Sequence, residues 1–159
     1  MHAKSLSRLA ALLLVGAASS LAHADNQNLG VSATVTQICK FSSVATTLGF
    51  GNVDPSSAGP ISGTLGNAVT YKCTKGVTPS SLTAGNGLNF SSGRRMKDAV
   101  SGDFIPYTLT VALPGSPAGT GFGAGQDKTI TVTGSIAATD YQNVSAGSYA
   151  DTVQLTIAP

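Results

Sequence analysis

Residues 107–113 read Tyr-Thr-Leu-Thr-Val-Ala-Leu, in which larger apolar side chains alternate with threonine or alanine. Because successive side chains of a β-strand point to opposite faces, this period of two indicates a strand with one buried face. The same alternation recurs in residues 69–73, 130–132 and 153–157. The pattern predicts an all-β fold with no helix of note.

Turn-forming residues separate these segments. Asp54-Pro55, residues 58–60, 85–87 and 91–93, and the Gly- and Pro-rich stretch 114–125 are each rich in the residues that turns and loops require. No change of composition divides the sequence after the first cysteine. We therefore expect a single β domain over residues 38–159.

The N-terminus has the pattern of an export signal. Lys4 and Arg8 precede an apolar run over residues 9–18, and Ala22-His23-Ala24 then gives the small-x-small pattern of a signal-peptidase site. The apolar run is too short to span a bilayer. This predicts a signal peptide over residues 1–24 and an exported mature chain that begins at Asp25.

Charge argues against nucleic-acid binding. The net charge of +2 includes Lys4 and Arg8, so the predicted mature chain is neutral, with seven Lys and Arg against seven Asp. Nucleic-acid binding favours a dense basic stripe, often with aromatic rings that stack on bases, and this chain has neither excess charge nor Trp. We expect no nucleic-acid partner.

Two residue types needed for common catalysis are missing from the mature chain. Both histidines, His2 and His23, lie in the predicted leader, and the sequence contains no Glu. Ser-His-Asp and Cys-His sites need an imidazole, and most zinc sites use imidazole or thiolate ligands. The expectation is a protein that is not an enzyme and that uses no cofactor or metal.

Cys39 and Cys73 are the two cysteines of the sequence. An even number in an exported chain favours a single structural disulfide between them. In the entropic description, closing that loop stabilises a small domain by roughly 3 to 4 kcal/mol.

The two ends of the predicted mature chain carry the least usual pattern. The alternating strand over residues 152–157 runs almost to Pro159, so no residues follow that could pair with its far edge. At the other end, residues 28–37 alternate ahead of Cys39. These two strands could pair within one molecule, or between molecules to make a polymer.

A set of motifs in fixed order resembles the spore coat protein U domain, a family that includes subunits of archaic chaperone-usher pili of the Csu type. The resemblance covers nearly the whole mature chain. Its motifs are Cys39, residues 48–51 (Leu-Gly-Phe-Gly), Asp54-Pro55, residues 69–73 (Val-Thr-Tyr-Lys-Cys), 94–96 (Arg-Arg-Met), 107–109 (Tyr-Thr-Leu) and 147–153 (Gly-Ser-Tyr-Ala-Asp-Thr-Val).

This resemblance implies an incomplete immunoglobulin-like β-sandwich that lacks its last strand and is completed by donor-strand complementation. A periplasmic chaperone would fill the gap during export through an outer-membrane usher, and the N-terminal segment of the next subunit would fill it in the fibre. Residues 25–37 would be that donor strand. Its inserted side chains would be Leu29, Val31, Ala33 and Val35, and the edge of the acceptor groove would be formed by Val153, Leu155 and Ile157.

The function that follows is a structural subunit of a secreted, cell-surface pilus of a Gram-negative bacterium, a homopolymer that supports adhesion and biofilm formation. The alternative is a minor or tip binding subunit, an adhesin of the same pathway. Two-domain tip adhesins carry an extra N-terminal binding domain, whereas one domain with its own donor-like strand favours the fibre subunit.

Within the last strand region, Tyr149 is expected to hydrogen-bond across a corner of the sandwich, with Asp151 near its solvent-exposed rim.

Overall fold

The computed structural model describes residues 23–159, and nearly all of the predicted signal peptide lies outside this range. The chain divides into two compact units, Met1–Thr34 and Val35–Pro159. The described part of the first unit, residues 23–34, forms no helix or strand, and its side chains are exposed. The alternation over residues 28–37 predicts a strand, but no strand is formed between residues 23 and 38. A strand is defined by hydrogen bonds to a neighbouring strand, and this segment has no such neighbour.

Within residues 23–159, every element of regular structure lies in the second unit. Its strands and single short helix are β1 (Cys39–Phe41), β2 (Leu48–Gly49), β3 (Ile61–Ser62), β4 (Thr64–Leu65), β5 (Val69–Cys73), β6 (Ser81–Ala84), β7 (Arg95–Asp98), β8 (Phe104–Pro106), β9 (Thr108–Ala112), β10 (Lys128–Ile136), α1 (Ala138–Tyr141), β11 (Tyr149–Ala150) and β12 (Leu155–Ala158). The predicted all-β class is confirmed, and the strands around residues 69–73, 107–113, 130–132 and 153–157 form close to their predicted positions.

All strand pairs are antiparallel, and β10 connects most of the larger sheet. The order in that sheet is β1-β5-β10-β3, with β9 also paired to β10. Residues 128–130 of β10 pair with β5, whereas residues 131–135 pair with β9. Three smaller sheets complete the unit, in the orders β11-β7-β8, β12-β6 and β2-β4.

The larger sheet and the β12-β6 pair bury a common apolar cluster. Val69, Tyr71 and Cys73 of β5 alternate inward and are buried together with Ile130 of β10. Strands β6 and β12 contribute side chains to the same cluster, namely Leu82, Leu155 and Ile157. Two antiparallel layers that enclose one core in this way are consistent with an immunoglobulin-like β-sandwich.

The disulfide joins neighbouring strands of one sheet. Cys39 of β1 lies directly opposite Cys73 of β5, with their Cα atoms 4.1 Å apart, and the two side chains are bonded. Cys73 is also fully buried. The bond therefore fixes the short strand β1 to the centre of the sheet.

The helix α1 was missed by the sequence prediction, which found none. It has four residues, too few for a 3.6-residue apolar period to show in the sequence. Tyr141 is buried at its end and donates a hydrogen bond to the carbonyl of Gly59 at 2.6 Å. Across residues 23–159, no helix has the length and apolar character needed to cross a membrane.

The loop that follows β9 packs directly on the disulfide. Gly119 donates a backbone hydrogen bond to Val77 and accepts one from Gly76, which brings it against Cys73. A Cβ atom added at Gly119 would lie 2.5 Å from both the Cβ atom and the carbonyl oxygen of Cys73. Only glycine fits this position without moving backbone.

We therefore expect Gly119→Ala to lower the free energy of unfolding by about 1 to 3 kcal/mol, the usual cost of overpacking a rigid site. Urea unfolding of the purified chain measures it. Gly115→Ala is the matched control, because it lies in the same loop and a Cβ atom there meets nothing within 4 Å. Equal losses in the two variants would contradict the assigned contact.

Candidate functional site

Strand β12 has an edge without a partner. It pairs with β6 along its whole length, from Leu155 opposite Ala84 to Ala158 opposite Ser81. Within the described chain it has no second neighbour, and β1 likewise pairs with β5 alone. Strands β1 and β12 pack on the same apolar cluster yet share no ladder of hydrogen bonds. Such an edge can accept an additional strand.

An open cleft of about 440 Å³, here called the core cleft, runs between the two layers beside this edge. Its lining is largely apolar and comes from both layers. The residues that line it are Thr46, Thr47, Leu48, Phe50, Leu65, Val69, Met96, Tyr107, Leu109, Val132, Tyr149, Ala150, Asp151, Thr152, Val153 and Leu155.

A second opening of about 580 Å³, here called the loop cleft, adjoins the first. Its base is formed by the buried side chains of Ile105, Ile136 and Tyr141, and its walls by residues 48–55 and 144–149. The two clefts share four lining residues, namely Leu48, Phe50, Met96 and Tyr149. These four shared side chains are only partly buried.

The structure places the predicted groove-edge residues at and near the core cleft. Val153 and Leu155 line it, and Leu155 also packs with the buried cluster. Ile157 packs on that cluster from β12. Val153 itself precedes the strand, which begins at Leu155 rather than at residue 152.

The predicted donor side chains are exposed. The relative accessibility is 86% for Leu29, 87% for Val31 and 80% for Val35, and Ala33 is also exposed. None of them belongs to a strand. Three sizeable apolar side chains on one alternating segment are therefore in solvent.

A buried carboxylate secures one wall of the loop cleft. Asp98, at the end of β7, is only 2% exposed. One of its oxygens accepts hydrogen bonds from the backbone N–H and hydroxyl of Ser101 at 2.7 and 2.9 Å, and from the N–H of Val100. The other accepts from the N–H of Ser148 at 2.9 Å. Asp98 thus ties the β7–β8 hairpin to the loop that lines the cleft.

The polar contact across the core cleft was not found by sequence reasoning. Tyr149, predicted to bond across a corner, instead donates locally to the carbonyl of Ser145 at 2.7 Å. Tyr107 makes the long-range bond, from its hydroxyl to Oδ2 of Asp151 at 2.7 Å. The sequence shows Tyr107 only as the first residue of an alternating strand, and no local pattern indicates a partner 44 residues away.

The fold and cleft define a class: an all-β, antiparallel sandwich whose last strand has a free edge beside an unfilled interior. Comparison with known families identifies the chain further. The model of the Spore Coat Protein U domain matches residues 25–156, and the chain belongs to that family. Curated proteins gave no match.

One solved structure similar to this chain is the CsuC–CsuE chaperone-tip adhesion subunit pre-assembly complex from archaic chaperone-usher Csu pili of Acinetobacter baumannii. The sequence identity is 18% and the TM-score is 0.45. The match covers 79% of this chain and 40% of the other, so this chain spans about two fifths of that one.

Acid should destabilise the walls of the loop cleft. Hydrogen bonds from Ser101 hold the pKa of Asp98 below its ordinary value of 3.8, and those from Ser145 do the same for Asp103. Because the folded-state pKa values are depressed, this stabilisation is fully present above about pH 4 and is lost as the pH falls through the folded-state values.

We expect the free energy of unfolding to be nearly constant from pH 7 to 5 and to fall steeply below pH 4, as measured by urea unfolding at each pH. Asp98→Asn should flatten part of the acid limb while lowering stability at neutral pH. An acid limb identical in the wild type and in this variant would contradict the role given to Asp98.

Proposed function

We propose that this chain is a structural subunit of a secreted pilus, assembled by donor-strand exchange. The observation that carries the proposal is that one chain contains both a candidate acceptor edge and a candidate donor segment, here called the acceptor half and the donor half of a joint between subunits. Strand β12 has a free edge beside the open core cleft. The segment 29–35 is an alternating apolar segment that forms no strand of its own.

The donor half is supported by its pattern and its exposure. In an extended conformation Leu29, Val31, Ala33 and Val35 share one face, and they span about 20 Å. Gly30, Ser32 and Thr34 alternate with them, which leaves the opposite face small or polar. This is the pattern of a strand that is buried on one side only.

The acceptor half is supported by the chemistry of the cleft. A strand laid along β12 would satisfy the backbone groups of its free edge, and its apolar side chains would enter a cleft lined by Leu109, Val132 and Val153. Burying each of the three larger donor side chains contributes about 1.5 to 3 kcal/mol. Hydrogen bonds along the main chain add to this.

Possession of both halves favours the fibre subunit over the alternative of a tip adhesin. A subunit within a fibre must accept one strand and donate another, whereas a subunit at the tip needs only to accept. The role is structural rather than catalytic, in keeping with the family. The repeating partner is then a further pilin subunit, most simply a second copy of this chain.

The same joint requires protection before assembly. An apolar cleft of this size, exposed in a soluble intermediate, favours aggregation. A periplasmic chaperone that covers the cleft and an outer-membrane usher that exchanges it for the next donor would supply that protection. Together with the predicted export signal, this supports the proposal that the assembled protein lies at the cell surface and contributes to adhesion and biofilm formation.

The assignment of the donor segment is tested by introducing a charged side chain on its apolar face. Val31→Asp should stop polymerisation, because insertion would bury an unpaired carboxylate at a cost of several kcal/mol. Fibre formation is scored by electron microscopy and sedimentation of the purified chain. Ser32→Asp is the matched control, since it adds the same charge to the opposite face and should still polymerise. Normal fibres from Val31→Asp would show that the donor segment is wrongly assigned.

The acceptor is tested by filling it within one molecule. Residues 25–36 are deleted, and a copy of residues 28–37 is joined after Pro159 through a short flexible linker. The linker raises the local donor concentration to about millimolar, so self-filling should outcompete exchange between molecules. We expect a monodisperse monomer with a raised melting temperature and no fibres.

Two controls accompany this design. The first is the same truncated chain without the added strand, which should aggregate or need a chaperone. The second carries Asp in place of Val31 in the added copy and should behave like the first. A truncated chain that is already a stable monomer, with melting unchanged by the added strand, would mean that the sandwich is complete and the proposal fails.

A further inference from the structure

The hydrogen bond between Tyr107 and Asp151 crosses the core cleft. Tyr107 lies between β8 and β9, at the point where the chain passes from the β11-β7-β8 sheet to the larger sheet. Asp151 directly follows β11. Both side chains line the core cleft, and the Tyr107 hydroxyl donates to Oδ2 of Asp151 at 2.7 Å.

The second oxygen of Asp151 holds a third segment. Oδ1 accepts hydrogen bonds from the backbone N–H of Leu88 at 2.9 Å and of Asn89 at 3.2 Å. Gly87 makes this approach possible, because its φ is +89° and an added Cβ atom would overlap the carboxylate. One side chain therefore joins the β8–β9 junction, the loop over residues 87–89 and the stretch between β11 and β12.

Neutral donors alone satisfy this carboxylate in the described chain. The guanidinium of Arg94 donates to the carbonyls of Ala84 and Gly85 at 2.8 and 2.9 Å. Burial and the bond to Asp151 raise the pKa of Tyr107, so its hydroxyl stays protonated and remains a donor throughout the neutral range.

The stretch that Asp151 fixes is also the wall that a donor strand would meet. Residues 151–154 connect β11 to β12 without forming a strand, and three of them line the core cleft. At their far end, the carbonyl of Gln154 accepts a hydrogen bond from Gly85. Asp151 is the side-chain anchor at the near end.

From this geometry we infer that Tyr107 and Asp151 are positioning residues for strand acceptance, which hold the wall formed by residues 151–154 at a fixed distance from the larger sheet. The inference rests on the proposed function. Loss of the bond lets this wall relax into the unfilled cleft, so an incoming donor must first displace it. Donor binding then becomes weaker and slower, even in a chain that is otherwise folded.

A purely stabilising hydrogen bond would behave differently. If it strengthened the empty and the filled subunit equally, its removal would lower the melting temperature of both and leave donor affinity unchanged. A positioning role lowers the affinity itself. Donor affinity and association rate, rather than stability, are therefore the measurements that separate the two.

The experiment refolds the mature chain, residues 25–159, at nanomolar concentration with an excess of a fluorescent peptide of residues 25–37. Fluorescence anisotropy gives the association rate and Kd, and circular dichroism verifies the fold. Tyr107→Phe should weaken binding about tenfold, which corresponds to one hydrogen bond to a charged group. Asp151→Asn should weaken it similarly, since one amide oxygen cannot replace two carboxylate oxygens.

Tyr71→Phe is the matched control. It is the same substitution and it also removes a hydrogen bond of 2.7 Å, but one to the carbonyl of Pro117, and Tyr71 lines neither cleft. Peptide affinity in this variant should stay within about twofold of the wild type. Equal losses for Tyr107→Phe and Tyr71→Phe, or wild-type affinity for Tyr107→Phe, would overturn the inference and leave the proposed function intact.

Failure of the wild-type chain to bind the peptide would instead overturn the proposed function. If Tyr107→Phe does not refold alone, the comparison moves to the self-complemented chain. There, amide hydrogen exchange in β12 should be about tenfold faster in Tyr107→Phe than in Tyr71→Phe, because a displaced wall loosens the filled cleft. Equal exchange rates would overturn the inference.

Discussion

A strand at the border of a sheet leaves half of its backbone N–H and C=O groups without a ladder partner, and in this protein β12 is such a strand. It pairs with β6 on one side, and its other side has no ladder partner within the described chain. The apolar cluster on which β12 packs, the two clefts and the exposed segment 29–35 are best understood in relation to that edge. Leu155 and Ile157 of this strand pack on the apolar cluster, and Leu155 also lines the core cleft.

Aspartate side chains accept the hydrogen bonds that hold several loops in the walls of the clefts. Asp98 collects hydrogen bonds from the β7–β8 hairpin and from Ser148, and Asp151 collects them from Leu88, Asn89 and Tyr107. Asp103 adds one from Ser145. Because Asp has a short side chain with two acceptors, it can bind loop N–H groups where the loops have no sheet to satisfy them. These three Asp side chains therefore stabilise the conformation of the loops beside the clefts.

The disulfide and the loop after β9 fix strand β1 and its neighbour β5 on the same apolar cluster. Cys39 and Cys73 lie opposite each other in adjacent strands, and Gly119 packs against Cys73 at a distance that excludes a side chain. Strand β1, only three residues long, is held in the sheet by this bond. The disulfide thus fixes one edge strand of the larger sheet, whereas β12 keeps an edge without a ladder partner within the described chain.

The sequence by itself determined the β class and the positions of the main strands, because a period of two is written locally in residues 69–73, 108–112 and 155–157. It also indicated the disulfide and the alternating donor-like segment. Only the tertiary structure decided which strands pair, that a four-residue helix buries Tyr141, and that Tyr107 rather than Tyr149 spans the cleft. The physical reason is distance along the chain: side-chain alternation is set between neighbours, whereas a hydrogen bond between residues 107 and 151 depends on how two separately formed segments come together in space.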